Sequence, residues 1–380
     1  MKGAMITYFG DLGRVCQEKW EKLDRELAAA GVGTLVANDF ATVRYLTGYL
    51  PYLTLSPSQG QVAVYVVGRG RPILYPLWFY EEFARRRFPW LEIRTLPRGA
   101  DAIAAAVAAV HRAEARPGSR VGHTGLTPRI ERALGPLFPD DGLTEADGLV
   151  ATARAVKTPG ELALLRDAID IAEAGMREAL AAVRPGRSEV DVAGDAERVM
   201  RQRGTESHAV VLRGRNAAFL QEVSTDDRFA AGDFALVDLG CYRRGYRAEF
   251  ARSRMVGVSL DGRRRELFEI VSRAVDAAAA LLRPGTACGA VARRADEVVR
   301  DAGYGDYAHP YPVGHGLGVT GFEHPHIVPE SDVPLAENMV INLEPGIFIP
   351  EEGVGIRTEE IWWVRREGPE LLTTGVPRIE

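Results

Sequence analysis

Cysteine is scarce in this 380-residue sequence: three residues, Cys16, Cys241 and Cys288, set far apart. An odd and widely spaced set builds neither a disulfide framework nor a close-spaced zinc motif, and it fits a reducing compartment. Long apolar runs are missing too. The opening residues, MKGAMITYFGDLGR, hold no uninterrupted apolar stretch of the kind a signal peptide needs. The longest weakly polar run, Ala102 to Val110, is mostly alanine and too short to span a bilayer. Neither sign of charge dominates, with 47 Lys and Arg against 52 Asp and Glu, a net charge of -5 and a pI near 5.9. That balance offers no electrostatic reason for nucleic acid or an anionic membrane as a partner. These absences lead to the expectation of a cytoplasmic protein that binds neither.

What is present describes a globular chain, with 46% hydrophobic and 26% charged residues. At this length one ordinary core is exceeded, and two domains are expected. Residues 10 to 150 alternate between helical and strand patterns. Leu12 to Ala30 has helical periodicity, and the short apolar run Gly33-Thr-Leu-Val-Ala and then Val43-Arg-Tyr-Leu-Thr-Gly follow it. Gln61 to Val67 and Pro72-Ile-Leu-Tyr-Pro read as strands, and Ala102 to Ala113 as a helix. This is an α/β pattern, a sheet covered by helices. At Thr158-Pro159 the pattern changes. Thr158 can cap a long helix, with Pro159 at its first position and Glu161 three residues after the cap, running to about Val183. The boundary falls just before it, giving domains 1–152 and 153–380.

The second half carries an internal repeat. Arg184-Pro-Gly leads to a helix ending at Gly204, and Arg283-Pro-Gly to one ending at Gly303. Gly186 and Gly285 stand 99 residues apart, as do Gly204 and Gly303, and each unit leads on into strands. Two α–β halves of approximate symmetry, sharing a site between them, are the simplest reading.

Four segments carry chemistry. Asp238 and Glu249 flank a hairpin around Arg243-Arg244-Gly245; with its centre between the two arginines, they sit opposite each other on one face. Glu344 and Glu359 are equidistant from a second turn, Pro350-Glu-Glu-Gly353. Facing like charges in apolar strands destabilise a sheet unless something neutralises them. His315, in Gly314-His-Gly-Leu-Gly, adds an imidazole whose small neighbours permit close approach. Four carboxylates and one neutral imidazole carry four negative charges, which two divalent cations balance. Oxygen-rich coordination with one nitrogen suits Mn(II), Fe(II), Co(II) or Zn(II).

These motifs resemble those of the creatinase, prolidase, aminopeptidase P and methionine aminopeptidase family. The likeness is concentrated in the order Asp, ten residues, an acidic residue, then His-Gly-x-Gly, Glu-Pro-Gly and Arg-x-Glu. In the first half it is limited to Val43-Arg-Tyr-Leu-Thr-Gly. The resemblance implies an α+β chain: a C-terminal pita-bread domain with a curved, mostly antiparallel sheet and pseudo-repeated helices, after an N-terminal α/β creatinase-like domain. It puts the metal ligands on Asp238, Glu249, His315, Glu344 and Glu359, holding two divalent ions. It implies a hydrolase of a small peptide or amide C–N bond, nearest to Xaa-Pro dipeptidase, in which a water bridging the metals attacks the carbonyl and Glu344 is the general base. It also implies a homodimer, with Tyr52 to Ser58 as a loop overhanging the partner's site.

The chain departs from the family at three places. Glu249 stands where the family has Asp; its extra methylene moves the carboxylate by roughly one bond length, against a metal–oxygen tolerance of about 0.2 Å. Gln221, after Gly214-Arg-Asn-Ala-Ala-Phe-Leu, and Phe322, in Phe322-Glu-His-Pro, replace histidines that contact substrate in family peptidases. Gln221 can donate a hydrogen bond but not become cationic; Phe322 can do neither. His324, two places along the strand from Phe322, is the candidate to supply the missing catalytic imidazole, with His208 and His309 as further candidates. Arg357, two before Glu359, matches a family arginine that orients the ligand shell and belongs with the substrate-binding set. The alternatives to peptide hydrolysis are a non-peptide C–N hydrolase and a non-catalytic binding protein.

Overall fold

A computed structural model describes residues 12–49, 61–140, 142–214, 217–218, 223–260, 262–308 and 312–379, with the backbone alone for 208–213. Gln221, His309 and the segment Tyr52 to Ser58 lie outside the described residues, as does the side chain of His208. The chain divides into two compact units, Met1–Arg154 and Ala155–Glu380.

The first unit is built on a six-stranded sheet. Helix α1 (Leu12–Ala29) leads to β1 (Val32–Ala37), α2 (Phe40–Thr47), β2 (Val62–Val66) and β3 (Ile73–Tyr75). Then come α3 (Glu81–Arg87), β4 (Glu92–Ile93), α4 (Ala100–Glu114), β5 (Arg120–Thr124), α5 (Pro128–Leu134), β6 (Leu143–Glu145) and α6 (Asp147–Ala155). The strand order is β4-β3-β2-β1-β5-β6. β1 runs parallel to β5 and antiparallel to β2.

Alternation along the central strands divides the core. Leu35 and Ala37 of β1, with Ala63 and Tyr65 of β2, pack against Cys16, Trp20, Leu23 and Leu27 of α1. Val36, Val62, Val64 and Val66 face the other way, toward Ala104, Val107 and Val110 of α4 and Ile130 and Leu134 of α5. A sheet covered on both faces needs such continuous apolar strands. The run Val43 to Gly48 belongs to α2: the Asp39 side chain accepts from Thr42 N at the N-terminus, and Gly48, at φ 70°, closes the helix in the left-handed region.

The second unit begins with α7 (Pro159–Ala182), opened by Pro159 and by the reciprocal capping of Thr158 and Glu161. After α8 (Glu189–Gln202) come β7 (Ser207–Arg213), β8 (Phe234–Arg243) and β9 (Tyr246–Met255). After α9 (Gly262–Ala279) and α10 (Cys288–Asp301) come β10 (Gly314–Gly316), β11 (Glu323–Ile327), β12 (Val340–Leu343), β13 (Gly346–Ile349), β14 (Val354–Arg357), β15 (Glu360–Trp363) and β16 (Glu370–Leu371). The sheets order as β7-β8-β9, β11-β10-β12-β15-β16 and β13-β14. Every one of these pairings is antiparallel.

The repeat is real in the backbone. Gly186 and Gly285 have φ of 87° and 89°, and Gly204 and Gly303 have 88° and 85°. Ser188 and Ala287, each two residues after the first glycine, form equivalent isolated bridges, to Arg228 and Pro334. Apolar faces of α9 and α10 bury Phe268, Val271, Val291 and Ala295 against Leu236, Ile341, Ile347 and Ile356 of the strands. This core backs the strands that carry the polar cluster described next. Among the described residues no helix is long and apolar enough to cross a membrane.

Candidate metal centre

Asp238 and Glu249 come from the β8–β9 hairpin, whose register differs from the one expected. Arg243 pairs with Tyr246, Asp238 with Ala251 and Gly240 with Glu249. The two turn residues are therefore Arg244 and Gly245, at φ 49° and 92°. Two left-handed residues match the twist of the flanking strands, and glycine favours the second place, a signal that was present in the sequence. The correction is two residues, so the side-chain alternation is kept. Asp238 and Glu249 share one face as diagonal neighbours instead of direct partners.

Glu344 and Glu359 sit at a gap in the second hairpin. The ladders on either side, Leu343 with Glu360 and Gly346 with Arg357, keep one register. In the gap the backbone turns elsewhere: Glu344 N donates to Val313 O at 2.7 Å, and Glu359 N to Ala251 O at 3.1 Å. One glutamate is thereby tied to the residue before β10 and the other to the strand carrying Glu249. Ser253 stitches the same edge, its Oγ accepting from Arg357 N at 3.0 Å.

His315 lies on β10, between Asn342 of β12 and His326 of β11. A methyl group on Gly314 or Gly316 would collide with the carbonyl oxygens of Asn342 and His324. Glycine on both sides is what lets the flanking strands close around the imidazole.

The side chains converge. His315 Nε2 is 3.5 Å from Glu344 Oε1 and 3.8 Å from Glu249 Oε1. Among the described residues, Glu249, His315 and Glu359 each offer a ligand atom within 4.8 Å of the others. Arg357 Nη1 donates to Glu344 Oε2 at 3.1 Å, while Nη2 pairs with Asp238 and lies 3.5 Å from Glu359 Oε2. Asn342 Nδ2 donates to Glu359 Oε1 at 2.5 Å and to the Glu249 carbonyl at 3.0 Å. All five expected ligands are thus in one cluster, with Arg357 touching three of them.

The electrostatics show a shortage of positive charge. Burial, reinforced by Asp238 and Glu249 and opposed by Arg357, pushes the Glu344 carboxyl up to about 7. Glu359 is raised well above the usual carboxylate range, again by burial first and then by Asp238. Burial lowers the His315 ring, which favours the neutral imidazole. Burial also works against charge on Arg357, but Asp238, Glu359 and Glu344 outweigh it and hold the guanidinium protonated. Glu359 Oε2 is buried without a hydrogen bond. A carboxylate-rich shell with one neutral imidazole and an unsatisfied buried oxygen fits a divalent cation.

Phe322 lies over this cluster, its ring centroid 4.1 Å from that of His315 and 5.3 Å from that of His326, and it is 54% exposed. The loop before it is held by Glu323, whose Oε1 accepts from Thr320 N at 2.8 Å. His324 is on β11 but has no contact with the carboxylates among the described residues. His326 is the β11 histidine that pairs with His315 and touches Phe322. Sequence reasoning passed over His326, Asn342 and Arg247. The signal for His326 and Arg247 was spacing: each stands two places along a strand, on the same face, from a residue already singled out.

Comparison with known proteins bears on this geometry. Residues 163–366 match the family described as Metallopeptidase family M24, and residues 19–156 match the Creatinase/Prolidase N-terminal domain. The Xaa-Pro dipeptidase of Pyrococcus furiosus is 32% identical over 230 residues, 60% of this chain and 65% of that protein, so the chain spans just under two thirds of it. An uncharacterized peptidase of Bacillus subtilis, YqhT, is 28% identical over 364 residues, 93% of this chain and 97% of that one. Among solved structures, the Xaa-Pro dipeptidase from Bacillus anthracis has a TM-score of 0.81 at 26% identity, covering 96% of this chain and all 100% of its own. The X-Pro aminopeptidase from Thermotoga maritima has a TM-score of 0.80 at 25% identity, covering 95% and 99%. The fold is therefore the expected one, a creatinase-like first domain followed by a pita-bread domain.

Proposed function

The chain belongs to metallopeptidase family M24, and from that premise we propose that it hydrolyses a small peptide or amide C–N bond in the manner of an Xaa-Pro dipeptidase. The observation that carries the reading is the convergence of Asp238, Glu249, Glu344 and Glu359 with neutral His315 in one cluster. The names of relatives such as the Pyrococcus furiosus and Bacillus anthracis Xaa-Pro dipeptidases support the substrate class.

In this reading the five residues hold two divalent ions, Mn, Co, Fe or Zn, whose Lewis acidity polarises the scissile carbonyl and lowers the pKa of water. Glu344 accepts the proton of the attacking water on its carboxylate and returns it to the leaving nitrogen. Arg357 fixes Glu344 and Asp238 against each other, and its guanidinium remains charged throughout. Phe322 forms an apolar wall over His315, and the family resemblance assigns Gln221 to the substrate-binding residues. Of the β11 histidines, the ring contacts favour His326 over His324 as the polar group beside that wall. The reading extends to a cytoplasmic homodimer, which solution mass tests.

Phe322 also favours a second reading, a family member that cleaves a non-peptide C–N bond, because phenylalanine offers no hydrogen bond to a peptide substrate. The deciding experiment incubates purified protein, loaded with Mn(II) or Co(II), with a panel of Xaa-Pro dipeptides and with small non-peptide amides. Proline release supports the first reading. Cleavage confined to non-peptide amides moves the second ahead, and no turnover with no bound metal leaves a binding protein.

A further inference from the structure

A buried ion pair stands behind the turn that carries Phe322. Lys157 and Glu323 are both buried, and Lys157 Nζ lies 3.7 Å from Glu323 Oε2. Lys157 is anchored at three points. Its backbone N donates to Asn338 O at 2.9 Å, its Nζ donates to Ala155 O at 3.0 Å, and the preceding residue, Val156, bridges to Met339. Asn338 and Met339 lead directly into β12, the strand that pairs with His315. Glu323 reaches into the turn between β10 and β11. Its Oε1 accepts from Thr320 N at 2.8 Å, and a Cβ on Gly318 would lie 2.7 Å from its Oε2.

The same turn meets the metal cluster. Gly318 O accepts from the backbone N of Arg247 at 2.7 Å, and Arg247 Nε donates to Glu249 Oε2 at 2.5 Å. A Cβ on Gly321 would lie 2.5 Å from Glu249 Oε1, and the Phe322 ring stands over His315. Three glycines between Gly316 and Gly321 leave this turn many backbone choices. The Glu323 carboxylate selects one of them by holding the Thr320 amide, and its charge strengthens that bond. An apolar pair of similar volume would serve stability as well as the ion pair does, but it would offer Thr320 no acceptor.

We infer that Glu323 is a positioning residue for hydrolysis, with Lys157 as the counter-ion that lets it act from a buried place. Together they fix the turn that brings Gly321 and Phe322 to the cluster, and so orient the substrate there without governing metal affinity. This rests on the hydrolase reading given above and adds to it what holds the substrate side.

The test compares two uncharged double variants of the full chain loaded with Mn(II). Lys157→Met with Glu323→Leu removes the acceptor; Lys157→Met with Glu323→Gln keeps it, and neither leaves a buried charge unpaired. In the leucine pair the Thr320 amide should exchange at least about tenfold faster by hydrogen–deuterium mass spectrometry, with the amides of α9 unmoved. Its kcat on whichever dipeptide or amide the native protein cleaves should fall about 10–100-fold, while Mn(II) affinity stays within about twofold. The glutamine pair should stay within about threefold of native in both exchange and kcat. Lys157→Met alone should match the leucine pair, and the two pairs carry the test should that variant fail to fold. A leucine pair with lowered Tm but native kcat marks a merely structural contact and overturns the inference. So do equal losses of kcat in both pairs, or a kcat loss that follows a loss of Mn(II) affinity. A metal-loaded native protein that cleaves nothing overturns the hydrolase reading instead. The hold of Glu323 on the turn is then decided by exchange alone: it stands if only the leucine pair is faster and falls if the two pairs agree.

Discussion

Replacing Glu344 with glutamine isolates the strongest electrostatic feature of the cluster. In chelator-stripped protein the Glu344 carboxyl is pushed up to about 7 from an ordinary 4.5, by burial first and then by Asp238 and Glu249 against the opposing Arg357. Between those values the folded chain holds a proton that the unfolded chain has released. The stabilisation from this site is fully present below the unfolded value of 4.5 and is lost as pH rises through about 7. A shift of that size is worth roughly 3 kcal/mol. Glu344 is buried, so little of this is screened by solvent. For a unit of this size it corresponds to roughly 6–12 °C in Tm. The assay is thermal unfolding, followed by circular dichroism, between about pH 5 and pH 8 in the presence of chelator. Glutamine is neutral throughout and close to isosteric, so the native protein should lose roughly 3 kcal/mol more than Glu344→Gln over that window. The Glu359 carboxyl is also raised, in part by Glu344 itself, so its loss with rising pH is larger in the native protein and adds to the difference with the same sign. Parallel curves, or a native protein that gains on the variant with rising pH, would refute the assignment. Added Mn(II) takes the place of the proton, so its stabilising effect on the native protein should grow with pH.

Phe322→His puts a hydrogen-bond donor where the phenyl ring now covers His315; kcat on an Xaa-Pro dipeptide should rise about tenfold or more with KM little changed, in steady-state kinetics. Arg357→Met removes the buried cation in contact with Asp238, Glu344 and Glu359. Urea unfolding of chelator-stripped protein should show a loss of about 3–5 kcal/mol, part of which Mn(II) restores by neutralising the same carboxylates. Thr158→Ala deletes the capping box of α7 and should cost about 1 kcal/mol in the same assay while leaving Mn(II) affinity unchanged. A change in affinity would mean that the helix start is coupled to the metal site.

Much of the fold was legible because its cues are local. Thr158, Pro159 and Glu161 announced α7 three residues apart, and the structure begins the helix there. The paired glycines 99 residues apart marked two repeats whose left-handed backbone angles agree within a few degrees. The β8–β9 hairpin was legible in kind, but its turn centre was misplaced by one residue and its pairing register by two, because a turn's centre depends on which residues accept positive φ, and Arg244 gives no sign of doing so.

The candidate ligands were legible for a related reason: carboxylates embedded in apolar strand sequence are conspicuous. Alternation along β8 and β9 kept Asp238 and Glu249 on one face because the register moved by an even number of residues. Spacing along a strand does not say which charge stands across from which. That Arg357 reaches Asp238 on another hairpin, that Arg247 clamps Glu249 against Gly321, and that His326, not His324, shares Phe322 with His315 are relations across the packed sheets. The sequence by itself determined the helix starts, the alternation and the set of acidic residues, since these follow from neighbours within a few positions. Only the tertiary structure decided the charge balance of the site, because Coulomb interactions and desolvation depend on distances between strands far apart in the chain.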